Sequence, residues 1–245
     1  MKEGYKDGYI LSNKEISPNI YELILQGDFK GKPGQFYMLR GWNSLDPLLA
    51  RPISIANLEG GNITFLYEVR GRGTHIVSQL NKGDRLSILG PLGNGFNFNI
   101  QDKKIAIVSG GVGIAPMLYL AKSLKLRADL YAGFRSDTYY LDVFSPYVKD
   151  IYVSTEDGSQ GYKGYIVDIF EGNKYDLVYT CGPIPMMKAL IEKCNGKLPI
   201  YISMEKRMAC GIGTCLGCTV ETINGIDRVC KEGPVFLAEE VIFHE

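Results

Sequence analysis

Four cysteines near the carboxyl end of the chain could bind a metal centre. They are Cys210, Cys215, Cys218 and Cys230, in the spacing C-x4-C-x2-C-x11-C. The spacing of the first three matches that of plant-type [2Fe-2S] proteins. Three glycines lie among those cysteines, at positions 211, 213 and 217, and would let the backbone curl closely and direct N–H groups at sulfur. The pattern predicts a [2Fe-2S] site with the four cysteines as ligands.

The fourth cysteine is placed by a predicted hairpin. Asn224-Gly225 is a strong two-residue turn signal, flanked by alternating segments at Thr219–Ile223 and Ile226–Cys230. Folding about that turn would set Cys230 opposite Thr219, one residue from Cys218. The alternative is a zinc ribbon with four cysteine ligands, but such ribbons usually show two C-x2-C pairs and this segment has one.

Two glycine-containing turns could bind a nucleotide. The segment Ser109-Gly110-Gly111-Val112-Gly113-Ile114-Ala115-Pro116-Met117 follows a predicted strand and opens a helix, where N–H groups and the helix dipole favour phosphate. Cys181-Gly182-Pro183 follows a later strand, so both turns belong at the carboxyl ends of strands, where open α/β sheets bind ligands. Tight strand-to-helix packing is the alternative role for such glycines.

Two further segments could bind anions. Arg51-Pro52-Ile53-Ser54 offers a guanidinium suited to pyrophosphate and a hydroxyl on an extended segment. Gly71-Arg72-Gly73-Thr74 precedes a helical stretch that Thr74 could cap. Either segment alone could also be an exposed arginine or an ordinary glycine turn.

The elements that must position these residues fall into three regions. Residues 1–100 show short alternating segments typical of an antiparallel barrel or sandwich, at Ile20–Gln26, Gln35–Leu39, Asn62–Glu68 and Arg85–Leu89. Residues 101–204 alternate apolar runs with amphipathic helical stretches, which predicts βα units around a parallel sheet, with strands at Ile105–Val108, Leu130–Phe134, Ile151–Val153, Leu177–Thr180 and Ile200–Ser203. Residues 205–245 would form a small cluster-binding domain.

The composition limits the binding partners and the cellular compartment that we expect for this protein. The chain has 27 basic and 27 acidic residues, so no net charge attracts nucleic acid or an anionic membrane. The amino terminus lacks the apolar run of a signal peptide, and we expect a cytoplasmic protein. Because the cytoplasm is reducing, metal or redox use of the six cysteines is favoured over disulfides.

Taken in order, the motifs carry a family resemblance. RPISI, GRGT, GPLGNGF, GGVGIAP, CGP and the segment MEKRMACGIGTCLGC resemble the ferredoxin reductase superfamily, and within it the electron-transfer subunits of heteromeric dihydroorotate dehydrogenases. The resemblance implies an FAD-binding β-barrel, an NAD-binding α/β domain and a [2Fe-2S] domain. It also implies an FMN-containing catalytic subunit as partner, in a heterotetramer with two copies of each, acting in pyrimidine biosynthesis.

The resemblance also implies roles for particular residues. Arg51-Pro52-Ile53-Ser54 would bind FAD, with Arg51 at the pyrophosphate and Ser54 at the flavin ring edge. The remaining cofactor-binding residues would be Leu66, Tyr67 and Glu68 lining the flavin, Gly73 and Thr74 at the phosphates, Gly110, Gly111 and Gly113 at the nicotinamide nucleotide, and Cys181 and Gly182 near its ring. We expect no catalytic acid or base in the chain.

Two other functions are considered. A diaphorase-type subunit of a hydrogenase or sulfide-linked oxidoreductase shares these motif classes and would differ only in its partner. A non-enzymatic, zinc-bearing adaptor would have an α/β domain that has lost its nucleotide. In some bifurcating ferredoxin-NADP oxidoreductases Asp replaces the first cluster ligand, so Cys210 argues against that relative. We also expect the surface that includes Ile212 and Leu216 to bind the partner, because a one-electron cluster must lie near its redox partner.

Overall fold

The structure is a computed structural model that describes residues 4–125 and 128–244. Residues 1–3 and 245, the outer limits of the first and third predicted regions, lie outside the described residues. In the described part of the chain, no helix is long and apolar enough to cross a membrane.

The first region folds into a closed antiparallel barrel, as predicted. Its six strands follow the order β1-β2-β5-β4-β3-β6 around the barrel, and a short helix α1 precedes β6. The elements are β1 (Lys6–Ser17), β2 (Ile20–Gln26), β3 (Phe36–Arg40), β4 (Arg51–Glu59), β5 (Asn62–Glu68), α1 (Arg72–Ser78) and β6 (Arg85–Leu92). Side chains alternate between the two faces of these strands, as a barrel requires. Leu23, Leu25 and Phe65 point inward and are fully buried, while their neighbours face outward.

The second region is an α/β sheet whose strand order is β10-β9-β8-β7-β11-β12-β15, in which the edge strand β15 (Val235–Leu237) comes from the last region. Its elements are β7 (Ile105–Gly110), α2 (Ile114–Leu124), β8 (Ala128–Phe134), α3 (Leu141–Phe144), β9 (Ile151–Thr155), β10 (Tyr162–Lys163), β11 (Leu177–Cys181), α4 (Ile184–Cys194) and β12 (Ile200–Ser203). The chain proceeds outward from β7 through β8 and β9, then returns to β11 on the other side of β7. The strand order therefore reverses between β7 and β11, which is where such sheets form a ligand crevice.

The connections differ from the simple βα rhythm expected from sequence. Helices α2 and α4 each have 11 residues, but α3 has only 4, and the chain between β9 and β11 has no α-helix in the described residues. The prediction of regularly alternating helices was wrong for these two connections. Short apolar stretches such as Leu141–Phe144 are too short to make a stable helix alone, and this one is held by burial of Phe144.

The last region is attached to both others. A hairpin of β13 (Thr219–Thr222) and β14 (Gly225–Arg228) precedes β15 (Val235–Leu237), which pairs antiparallel with β12 at the sheet edge. Cys218 and Cys230 share one buried cluster with Met38 of the barrel and Ile202 of the sheet. The three regions thus pack as one body through common apolar cores.

Candidate functional site

The hairpin brings the third and fourth cysteines together, although not in the register expected. Thr219 pairs with Arg228 and Thr222 with Gly225, and the N–H of Val229 donates to the Cys218 carbonyl at 3.0 Å. The prediction that Cys230 lies opposite Thr219 was wrong by two residues. The loop is Ile223-Asn224, because the Thr222 hydroxyl accepts from the Asn224 N–H at 3.3 Å and donates to the Gly225 carbonyl at 3.1 Å.

The four thiols meet as two pairs. The Cys215 N–H donates to Cys210 Sγ at 3.5 Å. Desolvation alone would raise the pKa of Cys210, but hydrogen bonds from the N–H groups of Cys215 and Ile212, the Cys215 thiol and the Thr214 N–H together lower it to about 6. Desolvation, then the contact with Cys218, raises the pKa of Cys230 to about 12. Cys210 therefore favours the thiolate form that binds metal.

This arrangement fits a two-iron cluster better than a single zinc ion. A [2Fe-2S] cluster has two irons with two protein ligands each, whereas zinc requires four ligands around one point. Among the described residues, no three His, Cys, Asp or Glu side chains already converge on one metal position. Cys218 and Cys230 are buried, Cys210 is half-buried and Cys215 is exposed, so one side of the site faces solvent.

The loop that carries the first ligands lies directly on the barrel. Gly211 has φ +73°, and a Cβ built there would lie 2.7 Å from Met38 Cγ and 3.1 Å from Leu92 Cδ1. Met38 lies in β3 and pairs with Pro52 of the neighbouring strand β4. Only glycine allows this close approach with that backbone, and the approach sets the cysteine loop beside the predicted flavin-binding strand.

The two strands that carry the predicted flavin residues separate at one end. In the described pairing, β4 meets β5 from Ile55 to Glu59, whereas Arg51–Ser54 pair with β3 alone. Residues Leu66–Glu68 of β5 pair with β2 instead. The separation leaves main-chain groups of both strands facing a gap, where a planar ligand could accept their hydrogen bonds.

Arg51 and Gly73 form one anion-binding arrangement. The Arg51 guanidinium lies over the Trp42 ring at 5.5 Å and donates to the Leu49 carbonyl. A Cβ built on Gly73 would lie 2.6 Å from Arg51 Nε, so any side chain there would displace the guanidinium. The structure therefore brings the two sequence motifs together at the amino end of α1, where positive charge and N–H groups favour phosphate.

Thr74 contributes differently from the expectation. Gly71 is the N-cap, and Thr74 lies three residues inside α1. Its hydroxyl reaches back to accept from the N–H groups of Arg70 at 3.1 Å and Gly71 at 3.3 Å. The prediction of Thr74 as the cap residue was wrong in position, and what it could offer a phosphate is its main-chain N–H.

The side chains of the predicted flavin-lining residues point in different directions. Leu66 and Tyr67 are each 2% exposed, packed into the interdomain and barrel cores respectively, and Tyr67 Oη donates to Asn13 Oδ1 at 3.1 Å. Glu68 is half-buried and accepts from Arg70 Nε at 2.6 Å. At this strand, a ligand would therefore meet main chain and Glu68 rather than the ends of the apolar side chains.

The two glycine turns touch each other where the strand order reverses. A Cβ built on Gly113 would lie 2.7 Å from the Cys181 carbonyl carbon and 2.9 Å from Gly182 Cα, and one on Gly182 would lie 2.9 Å from the Gly110 nitrogen. These three glycines are thus needed for packing between the turns. Gly111 differs, since it has φ +53° and its nearest neighbour is Tyr139 Oη at 3.9 Å. Gly111 is therefore the glycine of this loop whose main chain is not closed off by tight packing.

A charged residue that the sequence analysis did not identify, Glu205, borders the same crevice. Glu205 follows β12, and although solvent reaches its side chain, desolvation by surrounding atoms raises its pKa, an effect that Arg70 opposes and Glu68 increases. Burial, and then the charge of Glu205, raises the pKa of the Cys181 thiol. Cys181 is thus a neutral buried thiol beside a carboxylate. The available signal was the position of Glu205 two residues after a strand of the parallel sheet.

Comparison with known proteins agrees with this architecture. The iron-sulfur cluster binding domain of dihydroorotate dehydrogenase B matches residues 205–242. A structure of the NADH-dependent reduced ferredoxin-NADP oxidoreductase superposes with a TM-score of 0.82 at 26% identity, covering 96% of this chain and 89% of that one. The ferredoxin reductase of carbazole 1,9a-dioxygenase superposes with a TM-score of 0.69 at 20% identity, covering 81% and 68%. The barrel, the crevice and these likenesses define a ferredoxin reductase-like fold.

Sequence relatives identify the branch of that class. The electron transfer subunit of dihydroorotate dehydrogenase B (NAD(+)) from Clostridium acetobutylicum is 50% identical over 247 residues, covering 100% of both chains. Its counterpart from Clostridium perfringens is 43% identical over 245 residues, covering 98% of both. The chain belongs to the family of dihydroorotate dehydrogenase B electron transfer subunits.

Proposed function

We propose that this chain passes electrons from an FMN-containing, dihydroorotate-oxidising subunit to NAD+ in the cytoplasm, as part of pyrimidine biosynthesis. NAD exchanges electrons as hydride, a [2Fe-2S] cluster takes them singly, and FAD converts between the two. The observation that carries the proposal is the contact of Gly211 with Met38, because Met38 pairs with Pro52 of the flavin motif. One-electron and two-electron sites would then be separated by one barrel strand.

The flavin would be held at the separated ends of β4 and β5. The Arg51 guanidinium, which lies over the Trp42 ring and packs against Gly73, would neutralise the pyrophosphate. The amino end of α1 would add N–H donors. Ser54 lies at the start of the separation, within reach of a ring inserted there. Pro52 and Ile53 would form the wall between the flavin and β3.

The nicotinamide nucleotide would enter the crevice between β7 and β11. Gly111 supplies the close main-chain approach, while Gly110, Gly113 and Gly182 keep the two turns in contact. The neutral Cys181 thiol and Glu205 would border the nicotinamide ring. These groups orient the ring and exclude water, and hydride transfer itself needs no general acid or base from the chain.

The catalytic partner would bind at the open side of the cysteine site. Cys215 is exposed, and the neighbouring Ile212 and Leu216 are 54% and 61% exposed. Apolar side chains at the solvent side of a redox site are typical of an interaction surface. We propose the FMN-containing subunit as the occupant, in an assembly with two copies of each chain. Family membership favours this partner over a hydrogenase or sulfide-linked enzyme.

The purified chain is expected to be brown-yellow and to contain about one flavin and two irons per chain. Flavin absorbance, iron and zinc analysis, and electron paramagnetic resonance of the reduced protein measure this. Zinc at the cysteines in place of iron would refute the proposal. Cys230→Ser should lose the cluster and keep FAD, because the flavin residues lie in the barrel; Cys194→Ser, at a cysteine outside the site, is the matched control.

NADH is expected to be a better substrate than NADPH. Ser136 and Asp137 follow β8, next to the crevice, and Ser136 Oγ donates to Asp137 Oδ2 at 3.3 Å. A carboxylate here can accept from a free 2′-hydroxyl and repels a 2′-phosphate, although the exposed Arg135 could attract one. Steady-state diaphorase assays should give a higher kcat/KM for NADH, and Asp137→Asn should lower the NADH to NADPH ratio. A wild-type preference for NADPH would overturn the assignment.

A further inference from the structure

The side chain of Arg228 joins the two halves of the cysteine site. Its Nη1 donates to the Gly213 carbonyl at 2.8 Å, within the loop between Cys210 and Cys215. Its Nε donates to Glu232 Oε2 at 2.9 Å, and its Nη2 contacts Glu232 Oε1. The planar fork of arginine can bind a carboxylate at two points and still donate elsewhere, which lysine cannot do.

The main chain of Arg228 organises the turn that carries Cys230. The Arg228 carbonyl accepts from the N–H groups of Lys231 at 3.0 Å, Glu232 at 2.9 Å and Gly233 at 3.2 Å. Glu232 Oε2 in return accepts from the Arg228 N–H at 2.9 Å. One residue therefore fixes the fourth ligand through its main chain and the loop of the first two ligands through its side chain.

The two charges of the pair also lie near the buried ligands. Arg228 and Glu232 stand two residues before and two residues after Cys230, and Arg228 also bonds the loop between Cys210 and Cys215. The side chains of Arg228 and Glu232 are 26% and 32% exposed, so solvent screens them only in part. Reduction of a cluster adds one negative charge, which a nearby cation stabilises and a nearby anion destabilises.

We propose that the Arg228–Glu232 ion pair is a positioning element of the cluster site that holds the loop of the first ligands and sets the reduction potential by its balanced charge. This inference rests on the proposed [2Fe-2S] cluster. Removing Arg228 would leave an uncompensated carboxylate and make reduction harder. Removing the charge of Glu232 would leave an uncompensated guanidinium and make reduction easier.

The test is a redox titration of the purified holoprotein, with FAD and cluster present, followed by the resonance signal of the reduced cluster. Arg228→Gln should shift the midpoint potential downward, and Glu232→Gln should shift it upward. The double variant should return close to the wild-type potential. Glu171→Gln, which breaks the distant Lys174–Glu171 pair of 2.7 Å, should cause no shift.

Iron retention tests the positioning role separately. Arg228→Gln and the double variant should both release iron to a chelator several-fold faster than wild type, because both lose the tether to Gly213. If the midpoint potentials of Arg228→Gln and Glu232→Gln shift in the same direction, or do not shift, the proposed charge role is wrong. If Arg228→Gln retains iron as well as wild type does, the proposed tether is wrong. If Arg228→Gln does not fold, the upward shift of Glu232→Gln decides. A wild-type protein without a cluster signal would instead refute the proposed function.

Discussion

Leu216→Asp is expected to abolish dihydroorotate-dependent NAD+ reduction by the mixed subunits, while NADH-dependent reduction of artificial acceptors by this chain alone continues. Leu216 is 61% exposed between Cys215 and Cys218, at the solvent side of the site. A charge introduced there would have to be desolvated on binding an apolar partner surface, which costs several kcal/mol, or about a thousandfold or more in affinity.

The substitution is compatible with the fold of this chain. Leu216 has φ +58°, a left-handed conformation that Asp adopts more readily than Leu. Loss of activity should therefore reflect the lost contact and not a misfolded loop. Iron content and diaphorase rate of the variant check this directly.

The experiment mixes the chain with its candidate FMN subunit and follows NADH formation from dihydroorotate. Leu216→Met is the matched control, because it keeps an apolar side chain at the same main-chain conformation and should retain coupling. The chain alone should not oxidise dihydroorotate, since an FMN-binding (β/α)8 barrel needs about 250 residues of its own. Oxidation by the chain alone would refute the division of roles, and full coupling with the Asp variant would refute the docking surface.

The sequence was most informative where local patterning and tertiary structure agree. The predicted strands Ile20–Gln26, Asn62–Glu68 and Ile200–Ser203 have the same bounds in the structure. Each is an alternating or apolar run, and burial on the matching face gives it one stable register. The glycine turns were found for the same reason, since they follow well-defined strands of the parallel sheet.

Prediction failed where distant contacts decide the local structure. The hairpin register depended on Thr222, and on the N–H of Ile223 donating to the Glu240 carbonyl at 2.9 Å, from a segment with no strand pattern. Strand β15 has only three residues and exists because it completes the edge beside β12. Glu205 was missed because the residues that give it meaning, Glu68 and Arg70, lie far away in sequence.

Several glycines therefore have a structural role that can be separated from ligand contact. Gly113 packs against Cys181 and Gly182, where both neighbours are main chain and cannot rotate away. Gly111 has a left-handed main chain, and a Cβ built there would meet nothing closer than Tyr139 Oη at 3.9 Å. Of the two alternatives considered for the glycine turn, packing is observed at Gly113, and ligand binding stays a prediction for Gly111.

Gly113→Ala is expected to reduce kcat/KM for NADH by about tenfold while FAD and the cluster stay bound. The added methyl would lie 2.7 Å from the Cys181 carbonyl carbon, so the turns after β7 and β11 must move apart. Overpacking of this kind costs about 1–3 kcal/mol, and a loss of 1.4 kcal/mol from transition-state binding lowers the rate about tenfold.

Gly172→Ala is the control, because its methyl would meet Phe170 at 3.4 Å and Cys194 at 3.5 Å, ordinary contact distances in the same domain. Stopped-flow flavin reduction by NADH, with iron and flavin content measured alongside, distinguishes the outcomes. Unchanged NADH kinetics in Gly113→Ala would show that the nucleotide does not use this crevice, and loss of FAD in the same variant would show that the barrel and the sheet do not bind their ligands independently.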